Sequence, residues 1–178
     1  VTRVAGRSAK VSPRREALRL SRKSYAGCSL IASGNHRYIT NGDCQEPATV
    51  HLLGARRSNF PWGMENEIYR ALELGGYRVL DTDFRQEFGD LPRKLEQPAH
   101  LLLAVKANGV PPDLIRQQPC PTVLWYPDDI FAAEHARPQL AYNGTAFDRV
   151  YTFDRCAIDA YRQLGIQDVR WLPLAASP

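Results

Sequence analysis

"AHLLLAVKANGVPPDLIRQQPCPTVLWYPDD", residues 99–129, holds two apolar runs separated by a short segment that contains the pair Pro111-Pro112. The first run, "AHLLLAVKA" (99–107), is almost wholly apolar, the composition of a parallel strand covered on both faces. Pro111 and Pro112 suit the first turn of a helix, where a missing amide hydrogen costs nothing. "PTVLWYPDD" (121–129) is then a second buried strand, and it runs straight into two carboxylates, Asp128 and Asp129. Strand, helix and strand in this order describe a βαβ unit, because parallel neighbours need a crossover between them.

The alternation continues on both sides of this unit. "VHLLGA" (50–55) reads as a strand and "RRSNFPWG" (56–63) as the loop after it. "MENEIYRALELGG" (64–76) places Met64, Ile68, Ala71 and Leu72 on one helical face and Glu65, Glu67, Arg70 and Glu73 largely on the other, with Gly75-Gly76 as the stop. "YRVLDTD" (77–83) is the next strand, and "FGDLPRKLEQP" (88–98) a short helix or loop. Beyond Asp129, "IFAAEHARPQLAYNGTAF" (130–147) reads as helix and loop, and "DRVYTFD" (148–154) as a strand. "RCAIDAYRQLG" (155–165) has Ala157, Ala160, Tyr161 and Leu164 at helical spacing, and "VRWLPLA" (169–175) is a sixth strand. Six strands interleaved with helices predict a Rossmann-like, doubly wound parallel α/β domain over residues 50–178.

Residues 1–48 have a different character. They show no sustained helical or strand period, and "SGNHRYITNGDCQEP" (33–47) is a string of turn signals. Within them "SPRREALRLSRKSY" (12–25) suits a short basic helix, with Ser12 as N-cap and Pro13 at the first helical position. Residues 1–49 carry nine Lys and Arg against three acids, a net +6; the rest of the chain carries 14 basic and 16 acidic groups, a net −2. The basicity therefore belongs to a flexible, partly helical extension. That argues against nucleic acid as a partner, since a basic groove shows in the balance of the folded domain itself. The chain begins with Val, which suits a fragment or a reading frame extended upstream.

No apolar run approaches the roughly 20 residues of a membrane span, and the N-terminus lacks the apolar core of a signal peptide. A cytoplasmic protein is expected. Cys28, Cys44, Cys120 and Cys156 form no C-x-x-C pair and have no histidine at a zinc spacing, which predicts reduced, mostly buried thiols. The first loop is not a dinucleotide fingerprint, because bulky and charged residues separate Gly54 from Gly63. No P-loop and no G-x-S-x-G elbow is present.

In an open parallel sheet, ligands bind beyond the carboxyl ends of the strands. The candidates are therefore Arg56 and Arg57 with the loop to Trp62 and Gly63, then Asp81 and Asp83, Lys106 and Asn108, Asp128 and Asp129, and Asp154 and Arg155. A receiver-type magnesium site would need acids after the first strand and an Asp after the third, where this chain has Gly54 and Lys106.

Taken in order, "IYRALELGGYRVLDTD", "LLLAVKANGVPPDLI", "PTVLWYPDD", "FDRVYTFDRCAIDAYRQLG" and "VRWLPLAASP" resemble the N-terminal half of GT-B glycosyltransferases of the spore-maturation, CgeB-like kind, related to glycosyltransferase family 4. The resemblance covers nearly all of residues 50–178, and its most specific parts are W-x-x-D-D, "FDRVYTFD" and "LPLAASP". It implies a domain lining the acceptor side of a cleft, with a nucleotide-sugar donor and an acceptor glycan or other small acceptor as substrates. It implies no cofactor and no metal. The donor site of such enzymes lies mainly in a second Rossmann-like domain, so the expectation is a truncated fragment that does not turn over alone.

On this resemblance Asp128, Asp129 and Asp154 are substrate-binding candidates, and Trp62 and Gly63 shape an acceptor platform. Arg56 and Arg57 are weaker candidates for a donor diphosphate. Adjacency after a strand points Asp128 and Asp129 in different directions, so one is expected to cap the following turn and the other to face the cleft. Asp154 has helix capping as its alternative role, and no catalytic residue is assigned. His135 is a candidate general base, His100 is structural, and Trp125, Tyr126 and Trp171 belong to core or cleft wall. The competing reading is a free-standing α/β module that binds a ligand or partner without catalysis.

Overall fold

The computed structural model describes residues 30–33, 36–39, 46–58 and 63–174. Contacts divide the chain into two units, 1–46 and 47–178. The basic helix expected at 12–25 and the platform residue Trp62 lie outside the described residues.

In the first unit, strands β1 (Leu30–Ser33) and β2 (His36–Ile39) pair antiparallel, with Leu30 opposite Ile39 and Ser33 opposite His36. The sequence pattern predicts only turns there. The dipeptide between the strands, Gly34-Asn35, belongs to the class that favours tight hairpins.

The second unit is a six-stranded, all-parallel sheet. Its strands are β3 (Thr49–Gly54), β4 (Arg78–Asp83), β5 (Leu101–Val105), β6 (Thr122–Tyr126), β7 (Arg149–Thr152) and β8 (Val169–Trp171). They are ordered β4-β3-β5-β6-β7-β8. Helices α1 (Met64–Leu74), α2 (Leu91–Leu95), α3 (Pro112–Arg116), α4 (Ala136–Asn143) and α5 (Ile158–Gln163) alternate with them. This is the Rossmann-like doubly wound arrangement predicted from the sequence. The order reverses between β3 and β5, the kind of boundary above which open α/β sheets commonly bind ligands.

Winding is unequal on the two faces. Right-handed crossovers place the helix of the one leftward connection, α1, on one face and those of the rightward connections on the other. On the heavily covered face Leu102, Ala104, Leu124, Tyr126 and Val150 are fully buried and pack in one core with Leu91, Ile115, Leu140 and Tyr161. On the α1 face Val50 and Leu52 are buried, yet Leu101, Leu103, Val123, Trp125 and Tyr151 are only partly so. The apolar 99–107 strand is covered on both faces, as expected, but not to the same extent. One face carries four helices and the other carries one. Leu124→Ala, in the middle of the core, is expected to lower the unfolding free energy by about 3 kcal/mol in urea titrations.

α1 differs from its predicted face in one respect. Glu65, assigned to the polar side, is only 4% exposed. It sits in the first turn over the end of β3, where a Cβ on Gly54 would come within 3.1 Å of its Cγ. The helix can approach the strand this closely because residue 54 has no side chain.

Candidate functional site

The carboxyl ends of β5 and β6 build an open groove of about 660 Å³, lined by Lys106, Asn108, Pro127, Asp128, Asp129 and His135 together with Arg85 from beyond β4. Asp128 is its centre. Lys106 Nζ lies 2.7 Å from Asp128 Oδ1, and His135 Nε2 lies 3.1 Å from Asp128 Oδ2. Burial alone would push the Asp128 pKa up. The hydrogen bonds and charges of Lys106 and His135 outweigh that and hold it below its ordinary value. Asp128 is therefore a fixed carboxylate bridging two donors that come from different loops.

Asp129 does something else. Its Oδ1 accepts the backbone N–H groups of Phe131 (2.7 Å) and Ala132 (3.3 Å), so it caps the turn after β6. The two adjacent acids divide as alternate positions after a strand should: one faces the groove and one closes the turn.

Lys106 is presented by unusual backbone. β5 ends at Val105, two residues short of the apolar pattern, because Lys106 and Ala107 both take left-handed conformations (φ +60° and +51°). For residues with a Cβ this costs about 1–2 kcal/mol each. Asn143, fully buried on α4, donates from Nδ2 to the carbonyls of Ala107 (2.9 Å) and Val110 (3.1 Å). Gln139 donates to the Ala107 carbonyl (3.2 Å) and accepts from the Gly109 N–H (2.9 Å). The next residue, Asn108, keeps a buried Oδ1 without a hydrogen-bond partner at the groove wall.

The remaining candidates sit elsewhere. Asp154 Oδ1 accepts the Cys156 N–H at 2.8 Å, a capping bond at the short helical turn that precedes α5. Gly63 is the N-cap of α1. Arg56 and Arg57, proposed from the sequence for a diphosphate, are already engaged. Arg56 Nη2 lies 2.6 Å from Asp81 Oδ2 and its guanidinium stacks on Tyr69, 4.2 Å from the ring centre. Arg57 pairs with Glu87 and reaches Asp81 at 3.6 Å. An anion would have to displace these carboxylates.

Asp83 is wholly structural. It is fully buried at the end of β4 and accepts from Ser58 N (2.7 Å), Ser58 Oγ (3.0 Å), Arg85 N (3.0 Å) and Gln86 N (3.3 Å). This clamp joins the loop after β3 to the loop after β4. His100 Nδ1 accepts the Thr49 N–H at 2.9 Å, at the opposite end of the sheet from the groove. Tyr126 and Tyr161 are fully buried with unpartnered hydroxyls. Burial raises both phenol pKa values, that of Tyr161 to about 12.

The structure thus brings Lys106, Asn108, Asp128 and His135 together and leaves Arg56, Arg57 and Asp154 in local pairs. Sequence reasoning missed Arg85, Gln139 and Asn143. Only the Asn108-Gly109 dipeptide, a turn signal directly after an apolar strand, marks this loop in the sequence. Among the described residues no cluster of three or more His, Cys, Asp or Glu side chains is placed to hold a metal ion, and no helix is long and apolar enough to cross a membrane. No protein-family model matches the chain, and a search of curated proteins returns no match.

Proposed function

We propose that residues 50–178 form the acceptor-side domain of a cytoplasmic GT-B glycosyltransferase, which transfers a sugar from a nucleotide-sugar donor to a glycan or other small acceptor. The resemblance carried by "PTVLWYPDD" and "FDRVYTFD" supplies the family. The observation that supports a saccharide ligand is the donor and acceptor set around Asp128. Lys106 and His135 offer N–H groups, and Asp128 offers carboxylate oxygens. A sugar hydroxyl donates and accepts at once, so neighbouring hydroxyls fit such an alternating set where a purely anionic ligand would meet Asp128.

On this reading the domain orients an acceptor hydroxyl. Asp128 accepts from the sugar, Lys106 keeps Asp128 ionised, and His135 stands within reach of a departing proton. The donor's diphosphate is held mainly by a second α/β domain. The test is saturation-transfer NMR with glucose, N-acetylglucosamine and UDP-glucose on wild type and Asp128→Asn. Wild type is expected to bind, and the variant to bind about tenfold more weakly or worse, as loss of a charge-assisted hydrogen bond implies. Equal binding by both proteins would refute the role of Asp128. Binding without transfer to any acceptor, when a donor domain is supplied, would favour the ligand-binding module.

A further inference from the structure

We propose that Gln139 and Asn143 of α4 are positioning residues for this groove, acting by holding Lys106 and Ala107 in left-handed backbone so that the Lys106 ammonium reaches Asp128. The inference rests on the saccharide reading of the groove and names what keeps the groove in shape. A strand that continued through residue 107 in extended conformation would alternate its side chains and carry the chain away from β6. The left-handed pair instead turns the chain at once. Lys106 N–H still bonds the Trp125 carbonyl of β6 at 3.0 Å, and Ala107 N–H closes on the Val105 carbonyl at 2.7 Å.

Neither residue is glycine, so the turn is not the conformation the local sequence prefers. It is held from outside. Three side-chain donor bonds and one acceptor bond run from α4 to three residues of this loop, Ala107, Gly109 and Val110. Asn143 has its amide orientation fixed, because two carbonyls face its nitrogen, and its own Oδ1 stays buried without a partner. A buried side chain that leaves one atom unsatisfied while bonding two loop carbonyls fits a role in fixing that loop. The same helix begins just after His135, the other partner of Asp128. One helix thus lies next to both side chains that flank the carboxylate, Lys106 through the loop it holds and His135 at its own start.

The experiment uses the full chain with glucose and UDP-glucose as probes, reading affinity, melting temperature and backbone 15N relaxation. Gln139→Ala, at a half-buried helix position, is expected to increase motion at residues 106–109 and weaken probe binding about fivefold, the equivalent of one hydrogen bond, with little change in melting temperature. Asn143→Ala is expected to do the same more strongly. Adding Ala107→Gly to Gln139→Ala supplies a residue that adopts positive φ freely, and is expected to restore affinity to within about twofold of wild type. Loop order unchanged in both single variants, or no rescue by glycine, would overturn the positioning role. If wild type binds neither probe, the saccharide reading fails by itself. The relaxation of residues 106–109 in the two variants still decides whether α4 holds the loop.

Discussion

Replacing Asp83 by Ala is expected to lower the unfolding free energy by about 3–5 kcal/mol, a large fraction of what a domain of this size has. The carboxylate is fully buried and accepts from three backbone N–H groups and one hydroxyl. Alanine removes the acceptor shared by these four donors, which come from the exposed residues Ser58, Arg85 and Gln86, and each lost bond costs on the order of 1 kcal/mol. Ser58→Ala removes only the hydroxyl bond and is expected to cost about 1 kcal/mol. Asp83→Asn falls between them, because an NH2 group then faces either the Ser58 N–H or the cluster of donors on the other oxygen. Urea unfolding of the three variants gives the ranking, and a loss below 1 kcal/mol for Asp83→Ala would refute the clamp. The effect reaches function through geometry, since this clamp joins the loops after β3 and β4 at the edge of the crevice.

The second large effect is a loss of stability in mild acid. His51 lies in β3 at 1% exposure, with Nε2 2.8 Å from Thr82 Oγ1. Burial lowers its pKa to about 4; the charges of Asp81 and Glu87 oppose this shift and that of Lys94 adds to it. The folded protein therefore refuses a proton that the unfolded chain accepts below about pH 6.5. Between pH 6.5 and 4 the unfolded state binds more protons, so stability falls as pH falls. The total is about 3 kcal/mol. Asp83 acts in the same direction. Burial raises its pKa, but the bonds from Ser58, Arg85 and Gln86 together prevail and set it below the ordinary value. Its stabilisation is present above the unfolded carboxylate pKa and is lost as pH drops through the folded one. Urea midpoints measured from pH 7 to pH 4 should fall steeply in wild type and less steeply in His51→Gln, which cannot titrate. Parallel slopes in the two proteins would show that His51 is not the group responsible.

The backbone plan of the second unit was legible because its signals are local. Apolar runs such as "HLLLAV" and "TVLWY" have the length and composition of buried strands. Gly75-Gly76 and Gly165 end helices where the chain needs positive φ, at Gly76 (+78°) and Gly165 (+87°). The split of Asp128 from Asp129 followed from the alternation of side chains at a strand end. What was not legible depends on contacts distant in sequence. Glu65 is buried because Gly54, eleven residues earlier, leaves room for it. Lys106 and Ala107 read as the end of a strand, and only Gln139 and Asn143, more than 30 residues later, make their conformation tenable. The pairing of Arg56 with Asp81 likewise spans 25 residues and neutralises a charge that the sequence pattern offers to a phosphate. The unequal covering of the two sheet faces follows from strand order, which the alternation of elements does not specify.

The central claim is that the groove around Asp128, at the carboxyl ends of β5 and β6, is a saccharide site. Backbone amide NMR of the full chain, titrated with glucose and UDP-glucose, tests it most directly. Shifts confined to residues 106–109 and 127–135 are the predicted result. No shifts at saturating probe, or shifts gathered around Trp171–Leu174 instead, would contradict it.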